Sequence, residues 1–241
     1  MTDRRKGISR HICSCYVLNM PAPVTQLCLA GMDRPARDHL FFALLPDPQA
    51  AEAASAVASR IRQENGLSCK PVDPARLHVT LQVLGAYDGV PRGIVAKARD
   101  AAARITSTQF AVDFTRACSF GGEAGHSPLV LRAGSSLPTL VKFHTALLGG
   151  MAQAGMKARR ARFTPHMTLF YGAPVMASET VAAVKWTATD FVLIHSIFGE
   201  GRHVRLGRWP LRRVEAAEGM AAAAATSVSP SQNYGSEQSP A

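Results

Sequence analysis

PARLHVTLQVLG (Pro74–Gly85) sets a histidine and a threonine two residues apart in an otherwise apolar run, and FTPHMTLFYG (Phe163–Gly172) does so again. Side chains of an extended strand alternate between faces, so His78 and Thr80 share one face while Val79 and Leu81 share the other. His166 and Thr168 stand in the same relation to Met167 and Leu169. Each stretch reads as a strand with one face to pack and one polar face that needs another destination. An imidazole or hydroxyl buried without a partner costs about 1–3 kcal/mol. Two such faces avoid that cost together by lining a common wet cleft. One His-x-Thr in a strand is ordinary. Two copies of His-x-Thr-Leu, each with a glycine close behind and each following a helical segment, point to a duplicated half-domain. Its two strands would lie side by side at a pseudo-twofold axis.

Outward from these stretches, strands and helices alternate. His39–Leu45 is a short apolar strand stopped by Pro46. Asp47–Asn65 reads as a helix, with Asp47 as N-cap, Pro48 at the first helical position and Gly66 just after the end. Pro91–Ile105 and Leu137–Ala154 are the other predicted helices, the latter closed by Gly155. Further strands are predicted at Leu77–Leu84, Phe110–Phe120, Pro128–Ala133, Pro165–Tyr171, Asp190–Phe198 and His203–Leu211. The turn GGEAGHS joins the second and third of these. Hairpin-rich strands covered by helices on one side imply an α+β fold rather than a doubly wound parallel sheet. The chain has no G-x-G-x-x-G and no Walker loop, which removes the main support for a nucleotide-cofactor fold.

Residues 1–37 hold Pro21, Pro23 and Pro35 and no sustained period, so they read as an extension outside the fold, with Met32 as an alternative start. The stretch HICSCYVLNM is too short and mixed for a signal sequence. Residues 215–241 form a low-complexity tail that cannot bury a core. The folded domain is expected over residues 38–214. Hydrophobic residues make up 47% and charged residues 18% of the 241, an ordinary globular composition. No apolar run approaches the roughly 18–20 residues of a membrane span. The five cysteines (Cys13, Cys15, Cys28, Cys69, Cys118) include no C-x-x-C pair, which excludes a zinc ribbon and fits a reducing compartment. A cytoplasmic monomer is the expectation. The net charge of +10 favours polyanionic partners such as nucleic acid.

Two imidazoles and two hydroxyls facing one point suit displacement at phosphorus. Histidine titrates near pH 6.5, so one ring can take a proton from water while the other gives one to a leaving oxygen. The hydroxyls can donate to phosphoryl oxygens between them. Zinc is the rival reading, but two histidines without nearby Asp, Glu or Cys supply too few ligands. No metal or cofactor is expected.

These stretches resemble the two H-x-T-x signatures of the 2H phosphoesterase superfamily, and most closely the bacterial RNA 2′,3′-cyclic phosphodiesterases, long called 2′-5′ RNA ligases. HLFFALLPDP looks like their opening strand and DFVLIHSIFGEGRHVRLGRWPL is similar to their closing hairpin. The resemblance implies a bilobal α+β fold, with two pseudo-symmetric lobes of antiparallel sheet, helices on the outer face and an active-site cleft between them. It implies opening of a 2′,3′-cyclic phosphate on RNA or a nucleotide to a 2′-phosphomonoester. His78 would be the proton donor to O3′, His166 the proton acceptor, and Thr80 and Thr168 the phosphate-binding residues. The chain departs from the family at Tyr171, where an arginine is common. Lys157, Arg159, Arg160 and Arg162, with Arg202, Arg205, Arg208, Arg212 and Arg213, fit a compensating RNA-backbone track. Alternatives are reversible 2′-5′ ligation, another cyclic phosphate such as an ADP-ribose derivative, or an RNA-binding module without turnover. Phe42 is expected in the core rather than stacking a base. His126 and His144 read as incidental, His195 as a strand residue, Ser196 as one that could face the cleft, and Trp186 and Trp209 as packing residues.

Overall fold

The computed structural model describes residues 37–120, 127–157, 162–197 and 199–213. The expected N-terminal extension up to residue 36, the cysteines within it, His126 and its turn, Arg159, Arg160, Phe198 and the tail lie outside the described residues. Strands and helices follow in the order β1 (Asp38–Leu44), α1 (Pro48–Glu64), β2 (Val79–Tyr87), α2 (Arg92–Ala103), β3 (Phe110–Ser119), β4 (Ser127–Ala133), α3 (Leu137–Gln153), β5 (His166–Ala173), β6 (Glu179–Ala188), β7 (Asp190–Ile197) and β8 (Arg202–Pro210). Helix α1 begins as its sequence dictates: the Asp47 carboxylate accepts from the Ala50 N–H at 2.8 Å and Pro48 follows directly. Its small apolar stripe, Ala50, Ala54, Val57, Ala58 and Ile61, is buried.

The strands form one antiparallel sheet in the order β6-β3-β4-β5-β2-β1-β7-β8. Two four-strand halves meet where β2 pairs with β5, at Val79 and Met167. The halves are built alike, each with two adjacent antiparallel strands joined through a helix, β1-α1-β2 and β4-α3-β5. The likeness extends to an irregularity. Opposite β1 the register steps from Gln82 to Thr80, and opposite β4 it steps from Phe170 to Thr168. Leu81 and Leu169 are therefore extra residues in equivalent β-bulges. Each bulge puts two successive side chains, Leu81–Gln82 and Leu169–Phe170, into the interior.

All three helices pack on one face, where Leu40, Phe42, Val79, Leu81, Met167, Leu169, Phe143 and Phe191 belong to one core. The opposite face carries a small cluster of Phe41, Ala43, Val192 and Ile194. The sheet curls sharply. β6 is the edge strand of one half and β7 the penultimate strand of the other, yet only Thr189 separates them. Consecutive Cα atoms are ~3.8 Å apart, so the two halves converge at that point. Arg212 ties them again, donating to the Ser107 carbonyl and accepting from the Gln109 N–H.

Residues 179–188, whose sequence pattern suggests no element, are the edge strand β6. Alanines and exposed polar residues dilute its alternation, and Val181, Val184, Trp186 and Ala188 are its buried residues. Among the described residues no helix is long and apolar enough to cross a membrane.

Met167 is fully buried at the seam, so Met167→Ala is expected to lower unfolding free energy by about 2–5 kcal/mol. Asp47→Ala, which removes one cap, is expected to cost about 1 kcal/mol. Chemical denaturation of the two variants checks the ranking, and equal losses would contradict it.

Candidate active site

The chain reaches the first histidine through a tight 3-10 turn, Pro74–Arg76, capped by Asp73, whose carboxylate accepts from the Ala75 N–H at 2.9 Å. The preceding loop is stitched to the other half, with Val72 N–H donating to the Leu169 carbonyl at 2.7 Å. The antiparallel pairing of Val79 with Met167 then sets His78 across from Thr168 and Thr80 across from His166. Val79 and Met167 point into the helix-side core, so all four polar side chains emerge on the helix-free face. Each is partly buried.

The two imidazoles are held identically. His78 Nδ1 lies 2.7 Å from the Arg76 carbonyl oxygen, and His166 Nδ1 lies 2.8 Å from that of Thr164. A carbonyl only accepts, so Nδ1 carries the proton in both rings and Nε2 is left free for a substrate. Each ring also stacks on a phenylalanine: His78 on Phe41, with centroids 5.0 Å apart, and His166 on Phe120 at 4.3 Å. The surroundings then diverge. Beside His78 stands His203, edge-on at 5.3 Å from it and 5.8 Å from Phe41. Beside His166 stands Arg132, its cross-strand partner on β4, with the guanidinium 5.6 Å over the Phe120 ring.

Burial pushes the His78 pKa below the ordinary histidine value, the hydrogen bond to the Arg76 carbonyl opposes that, and charges on His166 and Arg76 push it down further. Burial likewise lowers His166, opposed by the Thr164 carbonyl and assisted by the Arg132 charge. His203 is lowered to about 4 by burial, aided by His78 and Arg76. The Val79–Met167 register, which sets each histidine across from the other motif's threonine, brings the twin rings to neighbouring positions on one face. The arrangement suits proton transfer at two points of one small anion, with both Nε2 atoms unblocked.

The remaining candidates divide by strand parity. Phe42 is wholly buried against Phe191 and Trp209, as expected of a core residue, while its neighbour Phe41 faces the site. Trp186 stacks on Phe114 and Trp209 on Phe191, both as packing residues. His144 is a buried helix residue stacked on Phe163 with its Nε2 3.3 Å from Gln82 Oε1, on the helix side. His195 is bonded to the Asp38 carboxylate. Ser196 pairs across the sheet with His39 and His203 and shares the face of the latter. Of the basic residues in the last hairpin, Arg208 is bonded to Asp190 at 2.7 Å, Arg202 lies 3.4 Å from Glu200, and Arg212 reaches the Thr106 carbonyl. Tyr171, beyond the bulge, is 63% exposed.

Sequence reasoning missed Phe41, Phe120, Arg132, His203 and Arg76. Phe41 was readable, since alternation from a core Phe42 sends it to the opposite face. His203 and Arg132 reach the site only through tertiary register. Among the described residues no group of three or more His, Cys, Asp or Glu side chains gathers in a metal-binding arrangement. A cavity of about 360 Å³ lies elsewhere, against α3, lined by Arg104, Thr106, Lys142 and Gln153 among others.

The family model for the 2′-5′ RNA ligase superfamily matches residues 45–196. The chain belongs to that superfamily, the 2H phosphoesterases, whose chemistry is that of cyclic phosphodiester hydrolysis or ligation. Solved structures agree on the fold. E. coli LigT in apo form is 24% identical with a TM-score of 0.57, covering 74% of this chain and 99% of that one. The protein TT0787 of Thermus thermophilus is 21% identical with a TM-score of 0.58, covering 73% and 100%. E. coli LigT complexed with phosphate is 25% identical with a TM-score of 0.50, covering 74% and 99%. No curated protein matches the chain.

The four depressed histidines, His78, His166, His203 and the buried His144, make the unfolded chain the better proton binder below its ordinary histidine pKa. Stability is therefore expected to fall as pH drops from about 6.5 towards about 4. His203→Asn is expected to flatten the slope of Tm against pH in that window, and a slope unchanged from wild type would contradict the burial argument.

Proposed function

We propose that this protein opens 2′,3′-cyclic phosphate ends of RNA or small nucleotides to 2′-phosphomonoesters, and that residues 38–214 carry the activity, in a cytoplasmic monomer without a metal or cofactor. His166 Nε2 takes a proton from water as the water oxygen attacks phosphorus. The P–O3′ bond breaks and His78 Nε2 gives its proton to the departing O3′. Ring diester plus water thus becomes a 2′-monoester with a free 3′-hydroxyl, and the two histidines have exchanged protonation states. Thr80 and Thr168 donate to the non-bridging oxygens. The assignment of acid and base follows the family resemblance.

The single observation that carries this reading is the matched pair of imidazoles. Each is oriented by a carbonyl two residues back, each presents Nε2 on the helix-free face, and each stands across the seam from the other motif's threonine. A structural role would not require the same tautomer twice. The phosphate complex of LigT supports affinity of this fold for phosphoryl groups. The superfamily name favours one second reading: a 5′-hydroxyl replacing water in the same step would yield a 2′-5′ linkage.

Incubation with an RNA ending in a 2′,3′-cyclic phosphate, with EDTA present, tests the proposal. A 2′-phosphate product supports it, joined strands favour ligation, and binding without product refutes it. His78→Ala and His166→Ala are each expected to lower kcat by about 10²–10⁴ while thermal unfolding confirms a folded protein. Wild-type turnover in either would refute the assignment.

Both histidine pKa values lie below the ordinary value, so the bell of kcat/KM against pH is expected to peak on the acid side of about 6.5. A maximum well into the alkaline range would contradict the pairing.

A further inference from the structure

A phosphodiester brings one negative charge, shared by its non-bridging oxygens. The threonine hydroxyls opposite it are neutral donors. Burial keeps both imidazoles below their ordinary pKa, so near neutrality the protonated His78 that the reaction uses is a minor form, and the four polar side chains offer hydrogen bonds but little standing positive charge. An anion entering a partly desolvated site without a cation loses more solvation than neutral donors restore.

The central strands of the sheet limit where that cation can come from. Across β4, β5, β2 and β1 the sequences SPLVLRA, HMTLFYGA, VTLQVLGAY and DHLFFAL contain a single lysine or arginine, Arg132. It is the direct cross-strand partner of His166, and Val130 on the same face of β4 partners Thr168. Directly opposed residues lie about 4.5–5.5 Å apart and diagonal ones about 7–8 Å, which puts the Arg132 guanidinium within side-chain reach of both His166 and Thr168. Its position is also fixed by the Phe120 ring, on one side of which His166 stacks and over which the guanidinium lies at 5.6 Å.

Arg76 is the rival cation. Its Nε is buried without a hydrogen-bond partner, and its Nη1 sits against the β7–β8 turn, 3.2 Å from where a Cβ on Gly201 would be. It therefore sits against the turn beside His203, and its charge bears on His78 and His203 rather than on His166.

We propose that Arg132 is a phosphate-binding residue, its guanidinium holding a non-bridging oxygen of the substrate together with the Thr168 hydroxyl. This rests on the functional reading above and adds to it the source of charge neutralisation. The planar fork of arginine suits an oxygen pair on phosphorus. A cation beside His166 also favours the unprotonated ring, the form that a proton acceptor needs, and β5 supplies none of its own because its next outward position is Tyr171.

The test compares wild type, Arg132→Gln, Arg132→Lys and Arg60→Gln. Arg60 lies on α1, bonded to Glu64 and Glu179 on the helix side, and controls for the lost charge. Orthophosphate affinity is measured by calorimetry, KM and kcat with a 2′,3′-cyclic nucleotide, and the His166 titration by NMR. Arg132→Gln is expected to weaken orthophosphate binding and raise KM roughly ten- to hundredfold, and to move the His166 midpoint upward. Arg132→Lys should recover part of the binding, and Arg60→Gln should match wild type.

Orthophosphate affinity and KM unchanged in Arg132→Gln, with the His166 midpoint raised, would overturn the proposal while leaving the enzyme reading intact. Arg132-dependent phosphate binding with no ring opening by wild type would leave the proposal standing and sink the enzyme reading. Failure of wild type to bind orthophosphate would overturn it.

Discussion

The antiparallel contact between β2 and β5 is the constraint on which the site depends. Each histidine is oriented within its own half, by a carbonyl two residues back and by a phenylalanine beneath it. Nothing in either half sets the distance between the rings. That distance comes from pairing Val79 with Met167, and a slip of one residue would turn one motif's polar pair into the core. The pairing is short, so the register is secured from outside it. Pro71 bridges Phe170 and Val72 donates to Leu169, fastening the approach to the first motif onto the strand of the second.

The duplicated framework carries unlike surroundings. The repeated bulge, tautomer and stack give two equivalent rings, which alone could not divide the labour of proton transfer. On one side His203 and Arg76 crowd His78, and on the other a single guanidinium stands beside His166. Symmetry fixes geometry while the flanking side chains separate the two rings electrostatically.

Local features of the fold were legible in the sequence. Alternation around His-x-Thr-Leu identified both strands and the face they share, and Asp47-Pro48 marked the start of α1 to the residue. The four residues His78, Thr80, His166 and Thr168 fall on one face of one sheet. What was not legible depended on partners distant in sequence. β6 is too alanine-rich to announce itself, the bulges at Leu81 and Leu169 appear only against neighbouring strands, and Arg132 and His203 acquire meaning only from register. The α+β fold was legible, but the joining of its two halves into one continuous sheet turns on the seam pairing, which no single segment encodes.

The one-residue link at Thr189 has a mechanical corollary. A hinge needs slack between its moving parts, and here the edge strand of one half runs into the penultimate strand of the other through a single residue, with Arg212 laced across the same place. A jaw-like swing of the halves about the seam would have to strain that link. The same link works against any change in the spacing of the twin imidazoles, so adjustment to a ligand falls first to side chains and to the turns at the rim.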